Sequence, residues 1–146
     1  MKTIKFKDLS QHHQELLLAA EKATEMAYSP YSHFSIGAAI LTKDDQIITG
    51  ANVENAAHGS GICAERAAVA RANAMGQRNF KAVAVIGKGE DADSEEPVSP
   101  CGLCRQVLHE FSQVSKRDFE VIMSNTKKNK IVVAKVSELL PLPFNP

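Results

Sequence analysis

The 146-residue chain has only three cysteines, an odd number that makes a poor disulfide framework. It has no net charge either, since seventeen Lys and Arg balance seventeen Asp and Glu. That balance leaves no field to draw in a polyanion and argues against a protein that grips DNA or RNA backbone. No apolar run approaches the roughly twenty residues needed to cross a bilayer. Met1 to Phe6 alternates basic and apolar residues and is too short for a signal peptide. No internal repeat or low-complexity stretch stands out. What these absences leave is a reduced, cytoplasmic, globular protein with 1–146 as a single domain. At this length roughly two-thirds of the unfolded surface can be buried without disulfide staples.

Periodicity divides the chain into alternating elements. Residues 11–28 read as a helix, because Leu16, Ala20, Ala23 and Ala27 recur every three or four positions. Ser10 or Asp8 is placed to cap its start, and Pro30 follows its end. Residues 36–41 and 47–51, split by the polar 43–46, predict a hairpin of strands. After a loop over 52–61, the alanine density of 62–75 and the stop at Gly76 predict a second helix. The valine-rich 81–87 reads as a strand buried on both faces, and 88–97 as an acidic surface loop. A third helix is expected over 102–111, strands over 119–124 and 130–135, and a helical turn over 137–140. The order implies an α/β sheet of about five strands with helices packed on it.

All three cysteines fall where predicted helices open. Cys63 begins the second, and Cys101 and Cys104 open the third as Pro100-Cys101-Gly102-Leu103-Cys104. Free amides and the positive dipole end at a helix start favour thiolate over thiol, and thiolate is the form that binds zinc. Two sulfurs from one helix start and one from another would make a three-thiolate site with a position left open, the mark of catalytic rather than structural zinc. Three alternatives stand beside this reading: a redox Cys-x-x-Cys that leaves Cys63 without a role, a closed structural site with His58 as fourth ligand, and plain buried cysteine. The neighbours weigh on the choice. Glu65, two residues beyond Cys63, is either an acid that complements the helix dipole or a carboxylate beside the open zinc position. Arg66 is either a solvated helix charge or a guanidinium that donates to the sulfurs, drawing charge from a site whose three thiolates weaken its power to acidify water.

Cys63-Ala64-Glu65-Arg66 together with Pro100-Cys101-Gly102-Leu103-Cys104-Arg105-Gln106 resembles the zinc-dependent cytidine deaminases. The likeness runs in order from about residue 14 to 144. It includes Tyr28-Ser29-Pro30-Tyr31-Ser32-His33-Phe34, the Gly50-Ala51-Asn52-Val53-Glu54-Asn55-Ala56 loop and the Glu138-Leu139-Leu140-Pro141 turn. The resemblance implies a three-layer α/β/α fold with a mixed sheet, and a zinc ion held by Cys63, Cys101 and Cys104. It implies Glu65 as proton shuttle, Arg66 beside the sulfurs, Asn52 and Glu54 on the sugar hydroxyls, and Phe34 against the pyrimidine. The Ala64 backbone would meet the ring edge, the Ser99 carbonyl the departing amine, and Phe144 the base bound by a neighbouring subunit. The small homotetrameric branch, whose active sites form where subunits meet, has this length and this three-cysteine pattern.

The implied reaction is hydrolytic deamination at C4 of cytidine or deoxycytidine, a step of pyrimidine salvage, with a small nucleoside as partner and neither nucleic acid nor membrane. Three departures from the family pattern bear on the substrate. His58 stands where an aromatic Tyr or Phe is usual and is read as a pocket residue, the acidic loop is longer, and the chain stops just after Phe144. A blasticidin S-type deaminase is the nearest rival, and Asn52-Val53-Glu54-Asn55, suited to an ordinary ribose, weighs against it. A polynucleotide deaminase would usually present His-x-Glu at 63–65 and a basic, aromatic-lined track. A non-catalytic zinc-stabilised domain is the remaining rival. His12, His13, His33 and His109 have no partner in sequence and are read as surface residues.

Overall fold

The elements of the computed structural model, which describes residues 1–146, run β1 (Lys2–Ile4), α1 (Gln11–Ala23), β2 (Phe34–Thr42), β3 (Ile47–Ala51) and α2 (Ala64–Ala74). They continue with β4 (Phe80–Gly89), α3 (Gly102–Val114), β5 (Glu120–Ser124), β6 (Ile131–Lys135) and α4 (Val136–Leu139). The strands form one mixed sheet in the order β1-β6-β5-β4-β2-β3, antiparallel except where β4 lies parallel to β5. The parallel step needs a crossover, and α3 supplies it.

Strand alternation explains the layers. Along β4, Ala82, Ala84 and Ile86 face one side with Leu16, Leu17 and Ala20 of α1. Val83 and Val85 face the other, with Ala68 and Val69 of α2, Leu108 of α3 and Val136 and Leu139 of α4. Both faces of the central strand are therefore covered, which is why its sequence is a continuous apolar run. The architecture is the expected α/β/α sandwich.

Several boundaries differ from the sequence reading, each for a physical reason. The sheet has six strands rather than five. The extra one is the alternating chain start, where Lys2 pairs with Val133 and Ile4 with Ile131, too short a period to register as a strand. The first helix ends at Ala23 instead of continuing to residue 28. Thr24 turns its hydroxyl back onto the Glu21 carbonyl (2.6 Å), and a 3-10 turn over Thr24–Met26 follows. Ser10 provides the cap, accepting from the His13 amide at 3.2 Å. The third helix extends to Val114, past Phe111, whose ring stacks on Phe80 with centroids 5.1 Å apart. His12 and His33 are exposed, but His109 is not a surface residue: it is 8% exposed, with Nε2 2.8 Å from Asn145 Oδ1. His13 is half-buried, with Nδ1 3.8 Å from Glu120.

The position of α2 depends on Gly50. A Cβ there would lie 2.3 Å from the Ala68 nitrogen and 2.6 Å from the Ala64 carbonyl oxygen, both backbone atoms that cannot swing aside. The missing side chain lets the first turns of α2 press directly on β3. Gly50→Ala is therefore expected to cost about 3 kcal/mol. The check is a lowered urea midpoint at unchanged slope; an unaltered midpoint would show that α2 is free to shift.

Candidate active site

Two helix starts converge on the sulfurs. Cys63 is the N-cap of α2 and Cys101 the N-cap of α3, both in extended conformation, and neither thiol caps its helix. Cys104 lies in the first turn of α3, fully buried, while Cys101 is exposed and Cys63 intermediate. The sulfurs of Cys63 and Cys101 are 3.8 Å apart, and all three lie within 4.8 Å of one another. Tetrahedral zinc with Zn–S bonds of about 2.3 Å sets its sulfurs about 3.8 Å apart, so the donor set fits that ion. A redox pair is disfavoured because Cys63 belongs to the cluster. His58 does not, so no imidazole closes the site.

The electrostatics suit a metal. Hydrogen bonding from Cys104 holds the Cys63 thiol down at about 6 against the effect of burial, helped by Cys101 and the charge of Arg66. The same hydrogen bond with Cys63, and burial, push Cys104 up. The metal-free cluster thus keeps protons that a bound cation displaces, and metal affinity rises with pH. Glu65, in the first turn of α2, is 4% exposed. Burial pushes its carboxyl up, and the neighbouring Cys63 adds to the effect. It lies beside the sulfurs without joining the metal-ligating group.

Beside the sulfurs opens a cavity of about 760 Å³, a size suited to a small organic ligand. Its lining includes Cys63, Arg66, Phe34, Asn52, Glu54 and His58. The Asn52 amide is buried, accepting from the Ile36 amide (2.8 Å) and donating to the Phe34 carbonyl (3.0 Å). One N–H and one lone pair of that amide remain. Glu54 Oε1 accepts from the Tyr31 and Ser32 amides at 3.0 and 3.1 Å, and hydrogen bonds from Ser32 hold its carboxyl low. His58 is exposed at the start of the 3-10 turn His58–Ser60. Arg66 makes no hydrogen bond to a sulfur; it acts on Cys63 through its charge. Ala64 is fully buried at the first position of α2, where helix amides lack intrahelical acceptors. The Ser99 carbonyl accepts no hydrogen bond within the chain. Phe144 does not line the cavity, and the residue is 71% exposed.

Two supporting residues escaped the sequence reading. Gly87 lies under the Phe34 ring, since a Cβ there would come within 2.7 Å of it. Arg105 donates to the carbonyls of Pro100 (2.8 Å) and Leu139 (3.0 Å), tying the loop before α3 to the end of α4. The glycine left no signal in sequence, whereas Arg105 lies inside the cysteine motif.

The family model for the cytidine and deoxycytidylate deaminase zinc-binding region matches residues 10–119. The chain belongs to this deaminase family. A cytidine deaminase of Sporosarcina psychrophila is 45% identical over 132 residues, covering 90% of each chain. The crystal structure of cytidine deaminase from Burkholderia pseudomallei is 40% identical, with a TM-score of 0.80, and covers 93% of this chain and all of that one. A blasticidin-S deaminase of Bacillus cereus is 31% identical over 140 residues, covering 94% of this chain and 95% of its own. Zinc is accordingly the metal for which the deaminase's three sulfurs are arranged.

Proposed function

We propose that the chain is a zinc-dependent hydrolase that converts cytidine and deoxycytidine, with one water, to uridine or deoxyuridine and ammonia. The observation that carries this reading is a sulfur cluster with zinc spacing and no fourth protein ligand, beside a buried carboxyl and a nucleoside-sized cavity. When bound, zinc supplies an acidified water as nucleophile at neutral pH.

Cys63, Cys101 and Cys104 hold the ion. Glu65 accepts a proton from the attacking water and delivers it to N3 of the ring, making C4 electrophilic as the water oxygen bonds to it. It then takes the second proton of that oxygen and passes it to the exocyclic nitrogen, so that the C4–N bond breaks, the C4 carbonyl forms and ammonia leaves. A carboxyl raised by burial but flanked by Arg66 is suited to serve as base and then acid. Arg66 offsets the negative charge of the sulfurs. Phe34 packs on the pyrimidine, and the Ala64 amide meets the ring edge. The Ser99 carbonyl, free of other partners, accepts from the departing amine. Asn52 and Glu54 receive the sugar hydroxyls with the atoms their own contacts leave over, and His58 lines the sugar side. Phe144, exposed and absent from its own cavity, reaches the base held by a neighbouring copy.

This reading makes the whole chain one deaminase domain, working as a homotetramer in the cytoplasm on free nucleosides of pyrimidine salvage. The balanced charge favours a small nucleoside over a polynucleotide, and no helix is long and apolar enough to cross a membrane. The test is ammonia release from the zinc-loaded protein incubated separately with cytidine, deoxycytidine, blasticidin S, free cytosine and a short single-stranded oligonucleotide. Turnover of the two nucleosides is expected. Release from blasticidin S alone, or from none of the five, would overturn the reading.

A further inference from the structure

The segment after α4 is held in an unusual way. No backbone–backbone hydrogen bond involves residues 141–146, and Pro141, Pro143 and Pro146 have no amide proton to give. Side chains of α3 hold it instead. Gln106 Nε2 donates to the Phe144 carbonyl at 3.0 Å, and the Phe144 amide donates to Gln106 Oε1 at 3.0 Å. One turn further along, the buried His109 is paired with Asn145 at 2.8 Å. Residues three apart on a helix lie on one face, so these contacts form one row.

A primary amide bonded to both polar groups of one residue fixes that residue's backbone much as a neighbouring strand would. The backbone of Phe144 is thus clamped while the residue stays 71% exposed, its ring not packed against this chain's core. At that exposure the side chain adds little buried apolar area to this chain's own stability. The helix that makes the clamp also carries Cys101 as its N-cap and Cys104 in its first turn, so the Phe144 backbone is tied to the element that bears two of the three sulfurs.

We propose that Gln106 and His109 are positioning residues for the deamination reaction, clamping the carboxy-terminal segment so that Phe144 enters the cavity of a neighbouring copy at a fixed angle. The proposal rests on the reading that Phe144 contacts a neighbour's substrate, and the test separates the two.

Four variants of the zinc-loaded full chain are compared with the parent: Gln106→Met, Asn145→Ala, Phe144→Ala and the double variant Gln106→Met/Phe144→Ala. The readouts are KM and kcat for cytidine, zinc content, and amide exchange over 141–146. Phe144→Ala is expected to raise KM roughly tenfold, and Gln106→Met roughly fivefold, with kcat within about twofold and zinc unchanged. Amide exchange in the tail should quicken in Gln106→Met. The double variant should be no worse than Phe144→Ala alone, because the clamp acts only through the ring. Asn145→Ala, on an exposed residue, should raise KM in the same direction even if the α3 variant folds poorly. If Phe144→Ala raises KM but Gln106→Met and Asn145→Ala do not, or if the double variant's losses multiply, the clamp is wrong. If Phe144→Ala leaves KM unchanged, the role of Phe144 is wrong and the clamp falls with it.

Discussion

Glu65→Gln is expected to keep its zinc and still bind cytidine while kcat falls by roughly 10³-fold, within the range for losing a general acid–base group. The side chain sits in the first turn of α2 at 4% exposure, so its position is set by the helix and the packing around it. Glutamine has nearly the same shape and leaves that packing alone. It has no carboxylate to receive a proton and none to hand to N3 or to the departing nitrogen. Both proton transfers are lost together, which is why the effect should fall on kcat rather than on KM. Metal analysis and calorimetric titration with cytidine report the two properties expected to survive. Turnover within tenfold of the parent would remove Glu65 from the chemistry.

Cys104→Ser is expected to fail at an earlier stage, by losing the metal itself. Cys104 is the one fully buried sulfur of the three, and its thiol is the one pushed up while Cys63 is held at about 6. A serine hydroxyl there is neutral, harder and closer to the backbone, three reasons for it to be a poor zinc ligand. Loss of an outer-shell partner already weakens metal sites roughly 10–100-fold, and loss of a ligand should exceed that. Bound zinc should fall well below one ion per chain, with activity falling in proportion and thermal stability dropping too. Full zinc occupancy in the variant would contradict the assignment of Cys104 as a ligand.

The contrast between these residues and the rest shows what the sequence makes legible. Cys63, Glu65, Cys101 and Cys104 lie within two short stretches, and their spacing from helix starts is a local property. The alternation in β4 and the apolar stripe of α1 are local as well, so the layers follow from periodicity. His109 is different. It is buried and paired with Asn145, thirty-six positions away, and nothing near it in the chain foretells the contact. Gln106 likewise looks like the tail of a cysteine motif until Phe144 is brought alongside. Asn52 and Glu54 could be assigned to a loop, but not the bonds by which they brace 31–36. Contacts of this kind arise only once separate elements pack, and glycines such as Gly50 and Gly87 matter only through what approaches them.

The borders of the sheet have a consequence for how copies associate. One border is β1, three residues long with Lys2 on it, and the other is β3, five residues long. The three-residue, lysine-bearing β1 margin discourages one sheet from extending into another there. Contact with another copy on that side would fall to helix flanks and loops, where specificity comes from side-chain shape rather than from shared backbone ladders.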